Sequence, residues 1–307
     1  MVVENNNLNA LITVVIPTLN EVEGVALVID EILSTGVSNN NILVVDGGST
    51  DGTVDVVMSK GVRIVTQEGK GKAAAIATAL KYVNTPYIAV LDSDYTYPAK
   101  YIPVLLSEAL KGYDLVVGVR NYVKDSQPFI YRLGNTLINK FFNVLFGAKL
   151  SDVLSGMYVV RTSRLRELDF EMTGFSVEVE LASHIVSTPS KVTEVPIEYR
   201  SRLGRKKLHI LDGFKIVRDV LRLTWRYNPI FLIFIMGSLL LVPGLLLGAW
   251  VAYHYFITGI KYYFRALVAI VLSVAGFQSL VVSLATLYIK RIELRILRKL
   301  NEALKER

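Results

Sequence analysis

Two long apolar segments near the end of the chain constrain its fold more than any other feature. They run from Pro229 to Phe256 and from Phe264 to Ile289, and each is longer than the roughly 20 apolar residues that a helix needs to cross a bilayer. A basic tail, residues 291–307, follows the second segment. Because positive residues collect on the cytoplasmic side of membrane proteins, we expect a multi-pass protein of the cell membrane. A two-helix transmembrane hairpin would occupy residues 229–290, with the parts before and after it in the cytoplasm.

The composition narrows the class of partner. The chain has 307 residues, no cysteine and a formal net charge of +7. A positive balance favours an anionic partner such as nucleic acid, phospholipid or a phosphorylated substrate. A chain without cysteine forms neither disulfides nor thiolate metal sites, which fits a cytoplasmic catalytic domain. The first ten residues lack the basic and apolar regions of a signal peptide, so we expect the domain that follows to stay in the cytoplasm.

Residues 1–208 predict an α/β domain. Short β-branched runs alternate with longer segments in which apolar residues recur at helical spacing. This alternation is typical of a doubly wound, mostly parallel, Rossmann-like sheet, which binds ligands at the carboxyl ends of its strands. The predicted strands are Ile12–Ile16, Ile42–Val45, Val62–Val65, Tyr87–Leu91, Asp114–Gly118 and Val192–Ile197. The predicted helices are Glu21–Ser34, Lys70–Val83, Ala99–Leu110, Pro128–Phe146 and Gly174–Val186.

An amphipathic helix is predicted between this domain and the apolar segments, within residues 209–228. Ile210–Tyr227 has apolar residues on one helical face and a basic stripe on another, as helices that lie in a membrane interface do. The apolar face contains Leu211, Phe214, Val217, Val220, Leu221 and Thr224, and the basic stripe contains Lys215, Arg218, Arg222 and Arg226. A surface helix packed on the protein core would show a similar pattern, but the neighbouring apolar segments favour the interfacial interpretation.

Two carboxylates directly follow the fourth predicted strand. Asp92 and Asp94 are one residue apart in an extended turn, so both can face one ligand. Mg²⁺ prefers oxygen ligands and takes one or two carboxylates together with phosphate oxygens. The pair is therefore a candidate site for a metal-bound diphosphate. The alternative is a polar turn that caps the helix after Pro98.

Three more polar segments follow strands or open a helix. Asp46, after the second strand, is a candidate hydrogen-bond acceptor for a base or a ribose, whereas Asp51 fits helix capping better. Asn20-Glu21 follows the first strand, and helix capping by Asn20 is the alternative there. Gly69-Lys70-Gly71-Lys72 opens a helix in the manner of a phosphate-binding turn, but it lacks the Walker sequence of ATPases.

Together these segments resemble the family 2 glycosyltransferases, which have the GT-A fold. The family's order and spacing recur in Pro-x-x-Asn-Glu from Pro17, in Val-Val-Asp-x-Gly-Ser-Thr-Asp-Gly-Thr around Asp46, and in Asp-x-Asp from Asp92. Within the family the chain is similar to the polyprenyl-phosphate glycosyltransferases, which include the dolichol-phosphate mannose synthases. The features that support this likeness are Val117-Gly-Val-Arg120, Arg132, the segment Asp152–Gly156 and the basic segment Arg202–Lys207.

The resemblance implies inverting transfer of a hexose from a nucleotide sugar, of the GDP-mannose or UDP-glucose type, to polyprenyl or dolichyl phosphate. It implies Mg²⁺ or Mn²⁺ as cofactor, a lipid bilayer as partner, and a place in a process such as protein glycosylation. The implied nucleotide-sugar contacts are Pro17, Asn20, Glu21, Asp46, Gly71, Asp92 and Ser93, and the implied metal ligands are Asp92 and Asp94. The implied phosphate and acceptor contacts are Arg120, Arg132, Arg202 and Lys207. The implied catalytic residues are Asp152, Asp94 and Arg120, with Asp152 acting as a base or orienting the sugar.

The chain departs from these relatives at two places. Gly47 stands where relatives often have a second aspartate, so part of the base contact differs. Tyr95-Thr96-Tyr97 replaces the Leu-Gln-His that follows Asp-x-Asp in the mannose synthases, where the Gln is a further metal ligand. The sequence therefore leaves open the sugar, the nucleotide and the third metal ligand.

Other functions also remain open at this level. A processive polysaccharide synthase would carry Gln-x-x-Arg-Trp, which this chain lacks. A membrane-bound nucleotidyltransferase would release pyrophosphate, and a glycosyltransferase could use another lipid or glycan acceptor. A membrane scaffold that binds anions gains nothing from carboxylates in its cleft, so we expect no nucleic-acid partner. The sequence allows a homo-oligomer without indicating one.

Overall fold

The computed structural model describes residues 5–123, 127–170, 177–204 and 212–305, and the chain divides into two compact units, Met1–Arg222 and Leu223–Arg307. The first unit is built around a seven-stranded sheet. Its strands are β1 (Ile12–Thr18), β2 (Ile42–Asp46), β3 (Arg63–Thr66), β4 (Tyr87–Val90), β5 (Leu115–Tyr122), β6 (Tyr158–Arg161) and β7 (Val192–Tyr199). Their order across the sheet is β3-β2-β1-β4-β6-β5-β7.

Helices cover both faces of this sheet. They are α1 (Asn5–Leu11), α2 (Val22–Ser34), α3 (Thr53–Ser59), α4 (Lys72–Ala79), α5 (Ile102–Ala109), α6 (Phe129–Phe146), α7 (Thr162–Arg166) and α8 (Val177–Ser187), followed by α9 (Asp212–Tyr227). Side chains of α2 and α5 join one apolar core, and those of α4 and α8 join another. Val14 of β1 belongs to the first core and its neighbour Val15 to the second. Both faces of the central strands are therefore buried, as in parallel sheets generally.

The α/β fold with a mostly parallel sheet is confirmed, with one strand that the sequence did not predict. Strand β6 lies between β4 and β5 and runs antiparallel to both, whereas the other strand pairs are parallel. It is four residues long and follows the irregular segment Asp152–Gly156. Its insertion brings that segment next to the carboxyl end of β4.

Several boundaries differ from those predicted. Strand β5 extends beyond Gly118 to Tyr122, so that Arg120 lies within a strand. Helices α1, α3 and α7 were not predicted, because each is at most seven residues long and lacks a sustained apolar period. Helix α8 begins at Val177, and residues 174–176 of the predicted helix lie outside the described residues.

The buried face of α9 differs from the apolar face that the sequence predicted. Ile216, Asp219, Val220, Leu223 and Thr224 are buried, whereas Phe214, Leu221 and Trp225 are exposed. The buried face therefore includes an aspartate, and several apolar side chains are exposed. The basic residues of the predicted stripe, Lys215, Arg218, Arg222 and Arg226, are exposed as well. The predicted residues Ile210 and Leu211 lie outside the described residues.

The second unit contains two long apolar helices, α10 (Pro229–Tyr253) and α11 (Tyr263–Lys305), with a short π-helical turn, His254–Thr258, after α10. Both helices have the length and composition to cross a membrane. They pack through small residues: a side chain on Gly276 would overlap the backbone of α10 at Leu241. Ser279 Oγ donates a hydrogen bond to the carbonyl of Ile233 at 2.9 Å. Close packing at glycine and serine is typical of helix pairs in membranes.

Candidate active site

A cavity of about 790 Å³ opens in the first unit at the carboxyl ends of β1, β2 and β4. Eight of the site residues that the resemblance implied line it, namely Pro17, Glu21, Gly71, Asp92, Ser93, Asp94, Arg120 and Arg202. Four others that the structure describes, Asn20, Asp46, Arg132 and Asp152, are not among the lining residues. Lys207 lies outside the described residues.

Asn20 and Asp46 hold the loops that border the cavity. Asp46 accepts hydrogen bonds from the backbone N–H groups of Gly48 and Ser49, at 2.9 and 3.0 Å. Asn20 accepts one from the backbone of Thr50 at 2.8 Å, and its own backbone N–H donates to the Ser49 hydroxyl at 2.8 Å. These bonds join the β1 and β2 loops. The side chain of Asn20 therefore bonds to the facing loop rather than capping its own helix.

The carboxylate of Asp92 is held by Lys72, the last residue of the Gly69–Lys72 segment that the sequence predicted as a phosphate-binding turn. Lys72, the first residue of α4, lies with its Nζ 2.5 Å from Asp92 Oδ1 and 2.5 Å from Glu178 Oε1 of α8. Burial lowers the pKa of Lys72, but the two carboxylates outweigh burial and raise it well above its usual value. Burial, and after it the charge of Asp92, raises the pKa of Glu178. Lys72 is therefore a fixed cation between two acids.

Asp94 is paired with Arg202 from the segment that follows β7. Its Oδ2 lies 2.8 Å from an Arg202 nitrogen, and its Oδ1 accepts hydrogen bonds from the Thr96 hydroxyl at 2.6 Å and the Thr96 backbone at 3.1 Å. Arg202 also forms a short ion pair with Glu21. The backbone of Leu203 donates to the Asp94 carbonyl at 3.1 Å. The segment after β7 thus crosses from β4 to the start of α2.

Arg120 forms a bidentate pair with Asp152. Its Nε and one terminal nitrogen each lie 2.6 Å from the Asp152 carboxylate, and its backbone N–H donates to the same group at 3.2 Å. Both side chains are at most 10% exposed. The guanidinium also lies over the ring of Tyr199, 5.5 Å from its centroid. Arg120 reaches the cavity from this rigid setting, whereas Asp152 lies behind it.

Gly156 allows close contact between the Asp92 carboxylate and the segment before β6. A side chain at this position would overlap that carboxylate. The Gly156 backbone N–H donates to the Tyr97 hydroxyl at 2.7 Å. Burial raises the pKa of Tyr97 well above its usual value, so the hydroxyl stays protonated. Tyr97 therefore links the Asp-x-Asp turn to the segment before β6.

Arg132 lies on α6, outside the lining of the cavity. Its Nε donates to the carbonyl of Gln127 at 2.9 Å, and its guanidinium lies 5.0 Å from the centroid of the Tyr122 ring. Gln127, Pro128 and Asn135 line the cavity in this region. The arginine is thus close to the lining segment without belonging to it.

The sequence assigned no role to Glu178, and it named Lys72, Tyr97 and Gly156 only as parts of motifs, without predicting their contacts with one another or with Asp92. Glu178 lies on a predicted helix that contains no recognisable motif. Its contact with Lys72 joins α8 to α4, two helices that are far apart along the chain. The sequence contained one hint of this pairing. Glu178 lies on the buried face of the predicted helix, and acidic residues are rarely buried without a partner.

The charges around the Asp-x-Asp pair fit a divalent cation. Burial raises the pKa of Asp94, and the charge of nearby Asp92 raises it further, so the two carboxylates repel one another. Each is already paired with a basic side chain, which indicates that the pair attracts cations. Among the described residues no group of three or more His, Cys, Asp or Glu could hold a metal. Two carboxylates completed by ligand oxygens nevertheless match the preference of Mg²⁺.

Comparison with known proteins identifies the family of the chain. The model of glycosyl transferase family 2 matches residues 13–169, a stretch that runs from the second residue of β1 to beyond β6. Glycosyltransferase AglJ of Haloferax volcanii is 32% identical over 298 residues, which make up 92% of this chain and 97% of that protein. A dolichyl-phosphate hexose transferase of the same organism is 31% identical over 204 residues, which make up 66% of this chain and 88% of that protein.

Solved structures show the same fold. Glucosyl-3-phosphoglycerate synthase from Mycobacterium tuberculosis, in complex with Mn²⁺, uridine diphosphate and phosphoglyceric acid, superposes with a TM-score of 0.59. The match covers 73% of this chain and 82% of that one, at 24% identity. The likeness supports the GT-A fold. The extent of the family match and the full-length similarity to AglJ show that the chain belongs to glycosyl transferase family 2.

Proposed function

We propose that the chain transfers a hexose from a nucleotide sugar to dolichyl or another polyprenyl phosphate, with inversion at the anomeric carbon. The observation that carries the proposal is that two carboxylates, Asp92 and Asp94, line one cavity with two guanidinium groups, those of Arg120 and Arg202. Carboxylates suit a metal-bound diphosphate, and arginine offers planar, bidentate donors to phosphate. A site that binds a metal-bound diphosphate and a second phosphate needs both carboxylates and guanidinium groups. The printed name of the Haloferax volcanii hexose transferase supports the same acceptor.

The reaction is a direct displacement. An oxygen of the lipid phosphate forms a bond to the anomeric carbon, the bond from that carbon to the diphosphate oxygen breaks, and its electron pair leaves with the nucleoside diphosphate. A phosphomonoester has a second pKa of about 6, so the nucleophile is already largely ionised at neutral pH. No residue has to remove a proton, which agrees with the pairing of Asp152 to Arg120.

The residues divide the work of binding and orientation. Asp92 and Asp94 would hold Mg²⁺ or Mn²⁺, which when bound neutralises the charge that develops on the leaving diphosphate. Arg120 would orient the acceptor phosphate from its fixed position against Asp152. Arg202 would exchange its ion pairs with Glu21 and Asp94 for contacts with phosphate oxygens. Lys72 offsets part of the negative charge of Asp92 and Glu178.

Exposed apolar residues on α6 and α9 support contact with a lipid acceptor. Helix α6 exposes apolar side chains at helical spacing, and α9 exposes a second set beside its basic residues. The α6 set is Phe129, Ile130, Leu133, Leu137 and Val144, and the α9 set is Phe214, Leu221 and Trp225. Apolar side chains flanked by basic ones favour a surface of anionic lipid. The polyprenyl tail could then stay in the bilayer while its phosphate enters the site.

A transfer assay tests the proposal. Full-length protein in detergent is incubated with dolichyl phosphate, Mn²⁺ or Mg²⁺ and a panel of radiolabelled UDP- and GDP-sugars, and the label in the organic phase is counted. We expect label from one donor, abolished by EDTA and by Asp94→Asn. The matched control is Asp55→Asn, an exposed aspartate of α3, which should retain activity. Donor binding without organic-phase label would indicate another lipid or glycan acceptor and overturn the proposed one.

We also propose that the first unit faces the cytoplasm and that the loop between α10 and α11 faces the opposite side. The absence of cysteine makes this testable with single-cysteine variants and a membrane-impermeant thiol reagent on intact cells. Lys261→Cys, in the loop, should be labelled directly, and Asp55→Cys should be labelled only after permeabilisation. The opposite labelling pattern would show that the chain has the opposite orientation in the membrane.

A further inference from the structure

The part of the cavity next to the ends of β2 and β3 contains an amide group, that of Gln67, to which the proposed reaction assigns no role. Gly47 follows β2, and Gln67 follows the neighbouring strand β3, where its backbone N–H donates to the Asp46 carbonyl at 2.8 Å. Gly47 and Gln67 both line the cavity. A side chain built on Gly47 would come within 3.3 Å of Gln67 Oε1 and 3.5 Å of Leu19. The amide oxygen of Gln67 therefore occupies the edge of the space that the missing side chain leaves.

The orientation of this amide is determined by a single neighbour. Gln67 Nε2 donates to the carbonyl of Gly69 at 3.0 Å, and only the NH₂ end of a glutamine amide can donate. A flipped amide would place two carbonyl oxygens against one another. Oε1 is therefore held as an acceptor, and within the described residues no hydrogen bond reaches it.

An acceptor that faces N3 of a pyrimidine or N1 of a purine distinguishes bases by whether that ring nitrogen carries a hydrogen. Uracil N3 and guanine N1 carry a hydrogen and can donate to Oε1. Cytosine N3 and adenine N1 are acceptors and would face Oε1 with a lone pair. Pro17 and Leu19 supply apolar surface beside this position. The Gln67 amide oxygen can therefore distinguish uracil from cytosine and guanine from adenine.

We propose that Gln67 is a specificity-determining residue that selects nucleotide-sugar donors whose base carries a ring N–H, as uracil and guanine do. The proposal rests on the proposed donor function of this cavity. Gly47 contributes by leaving room for the base and the amide oxygen together. A hydrogen bond lost or gained at such a site changes the dissociation constant by about fivefold to tenfold.

Calorimetric titration of the full-length protein in detergent with Mn²⁺ tests the proposal, using UDP, CDP, GDP and ADP as probes. The wild type should bind UDP about fivefold or more tighter than CDP, or GDP tighter than ADP, and the favoured pair identifies the base. Gln67→Met keeps the length of the side chain without its amide and should reduce the ratio to about one. Glu68→Gln alters an exposed neighbour paired with Lys81 and should leave the ratio unchanged.

A second variant separates recognition from damage to the loop. Gln67→Ala should lose discrimination, and adding Gly47→Asp to it should restore an acceptor and with it the preference for UDP or GDP. A wild type that prefers CDP or ADP, or a Gln67→Met variant that keeps the wild-type ratio, would overturn this inference alone. Failure of the wild type to bind any nucleotide would instead overturn the proposed function on which it rests.

Discussion

Asp152 contacts Arg120 through both oxygens of its carboxylate, each 2.6 Å from a guanidinium nitrogen. The aspartate also accepts the backbone N–H of Arg120, so that it fixes both the strand and the side chain. All of its described contacts with the proposed site pass through this arginine. We infer that Asp152 positions Arg120 and is not a base that acts on substrate.

Asp152→Asn should therefore retain more activity than Asp94→Asn. The asparagine can still accept one hydrogen bond from Arg120, whereas Asp94→Asn removes a proposed metal ligand outright. We expect Asp152→Asn to lower kcat/KM by about tenfold to a hundredfold, as the loss of one charged hydrogen bond of roughly 1.5–3 kcal/mol would. A plot of kcat against pH should keep its shape in the variant. A larger loss than in Asp94→Asn, with a changed pH profile, would indicate general base catalysis.

Gly156→Ala should weaken the Asp-x-Asp site without a large loss of stability. The added methyl group would overlap the Asp92 carboxylate, and the bond from the Gly156 N–H to Tyr97 opposes a shift of the backbone. We expect the affinity for Mn²⁺ in the presence of nucleotide to fall about tenfold, equivalent to 1.4 kcal/mol.

The control for this substitution is Gly134→Ala on α6, where an added methyl group meets nothing within 4 Å. Alanine favours helix over glycine by about 0.5–1 kcal/mol, so the control should bind Mn²⁺ normally and melt no earlier than the wild type. If Gly156→Ala bound Mn²⁺ as tightly as the wild type, Asp92 would not be a metal ligand.

Lys72→Met should make stability depend on pH more steeply. Burial, followed by the charge of Asp92, raises the pKa of Glu178 above its ordinary value of 4.5, and Lys72 opposes the rise. A carboxyl group whose pKa is higher in the folded state binds more protons when folded, so its contribution to stability falls as pH rises above the unfolded value. Without Lys72 the folded pKa rises further, and the loss of stability extends to higher pH.

Thermal unfolding of the full chain in detergent and EDTA, at pH values from about 5 to 7, measures this effect. We expect the gap in Tm between wild type and Lys72→Met to widen as pH rises, because breaking a buried pair costs about 3–5 kcal/mol once the remaining carboxylates are charged. Lys60→Met removes an exposed pair with Asp30 and should give a small gap that does not change with pH. A constant gap for Lys72→Met would contradict the proposed pairing.

The sequence predicted those residues of the site that directly follow a predicted strand along the chain. Asp92 and Asp94 come directly after a buried strand, and Pro17 and Glu21 flank the end of another, so strand-end geometry alone brought them together. Lys72 and Glu178 meet only because α4 and α8 pack on the same face of the sheet. Asp46, which the resemblance implied as a base contact, accepts hydrogen bonds from the backbone of its own turn, as carboxylates in Asp-Gly turns do.

The fold shows the same division between local and distant causes. Alternating strands and helices predicted the parallel part of the sheet, where each element follows from its own hydrophobic pattern. Strand β6 has four residues, and its antiparallel position between β4 and β5 depends on partners distant in the chain. Helicity of α9 was likewise predicted from its own pattern, whereas the burial of Asp219 and the exposure of Phe214 depend on packing that the pattern does not contain.

Arg202→Ala should affect metal and acceptor in opposite directions. Arg202 pairs with Asp94 at 2.8 Å and with Glu21, so a metal that binds Asp94 must compete with this guanidinium. Removing the competitor should tighten Mn²⁺ binding in the absence of nucleotide by about two- to fivefold, since a partly exposed ion pair is worth roughly 0.2–1 kcal/mol. The same change removes a proposed phosphate contact and should raise the KM for dolichyl phosphate about tenfold.

Arg200→Ala is the matched control for this substitution. Arg200 comes from the same segment but pairs with Glu31 at 2.7 Å and lies over the ring of Tyr95, away from the carboxylates of the site. Both Mn²⁺ affinity and the KM for dolichyl phosphate should stay close to wild type in this variant, because neither Asp94 nor Glu21 loses a partner. Weaker Mn²⁺ binding in Arg202→Ala would show that the arginine supports the metal site by orienting Asp94. In that case the competition between guanidinium and metal, and the proposed transfer of Arg202 to the phosphates, would both be wrong.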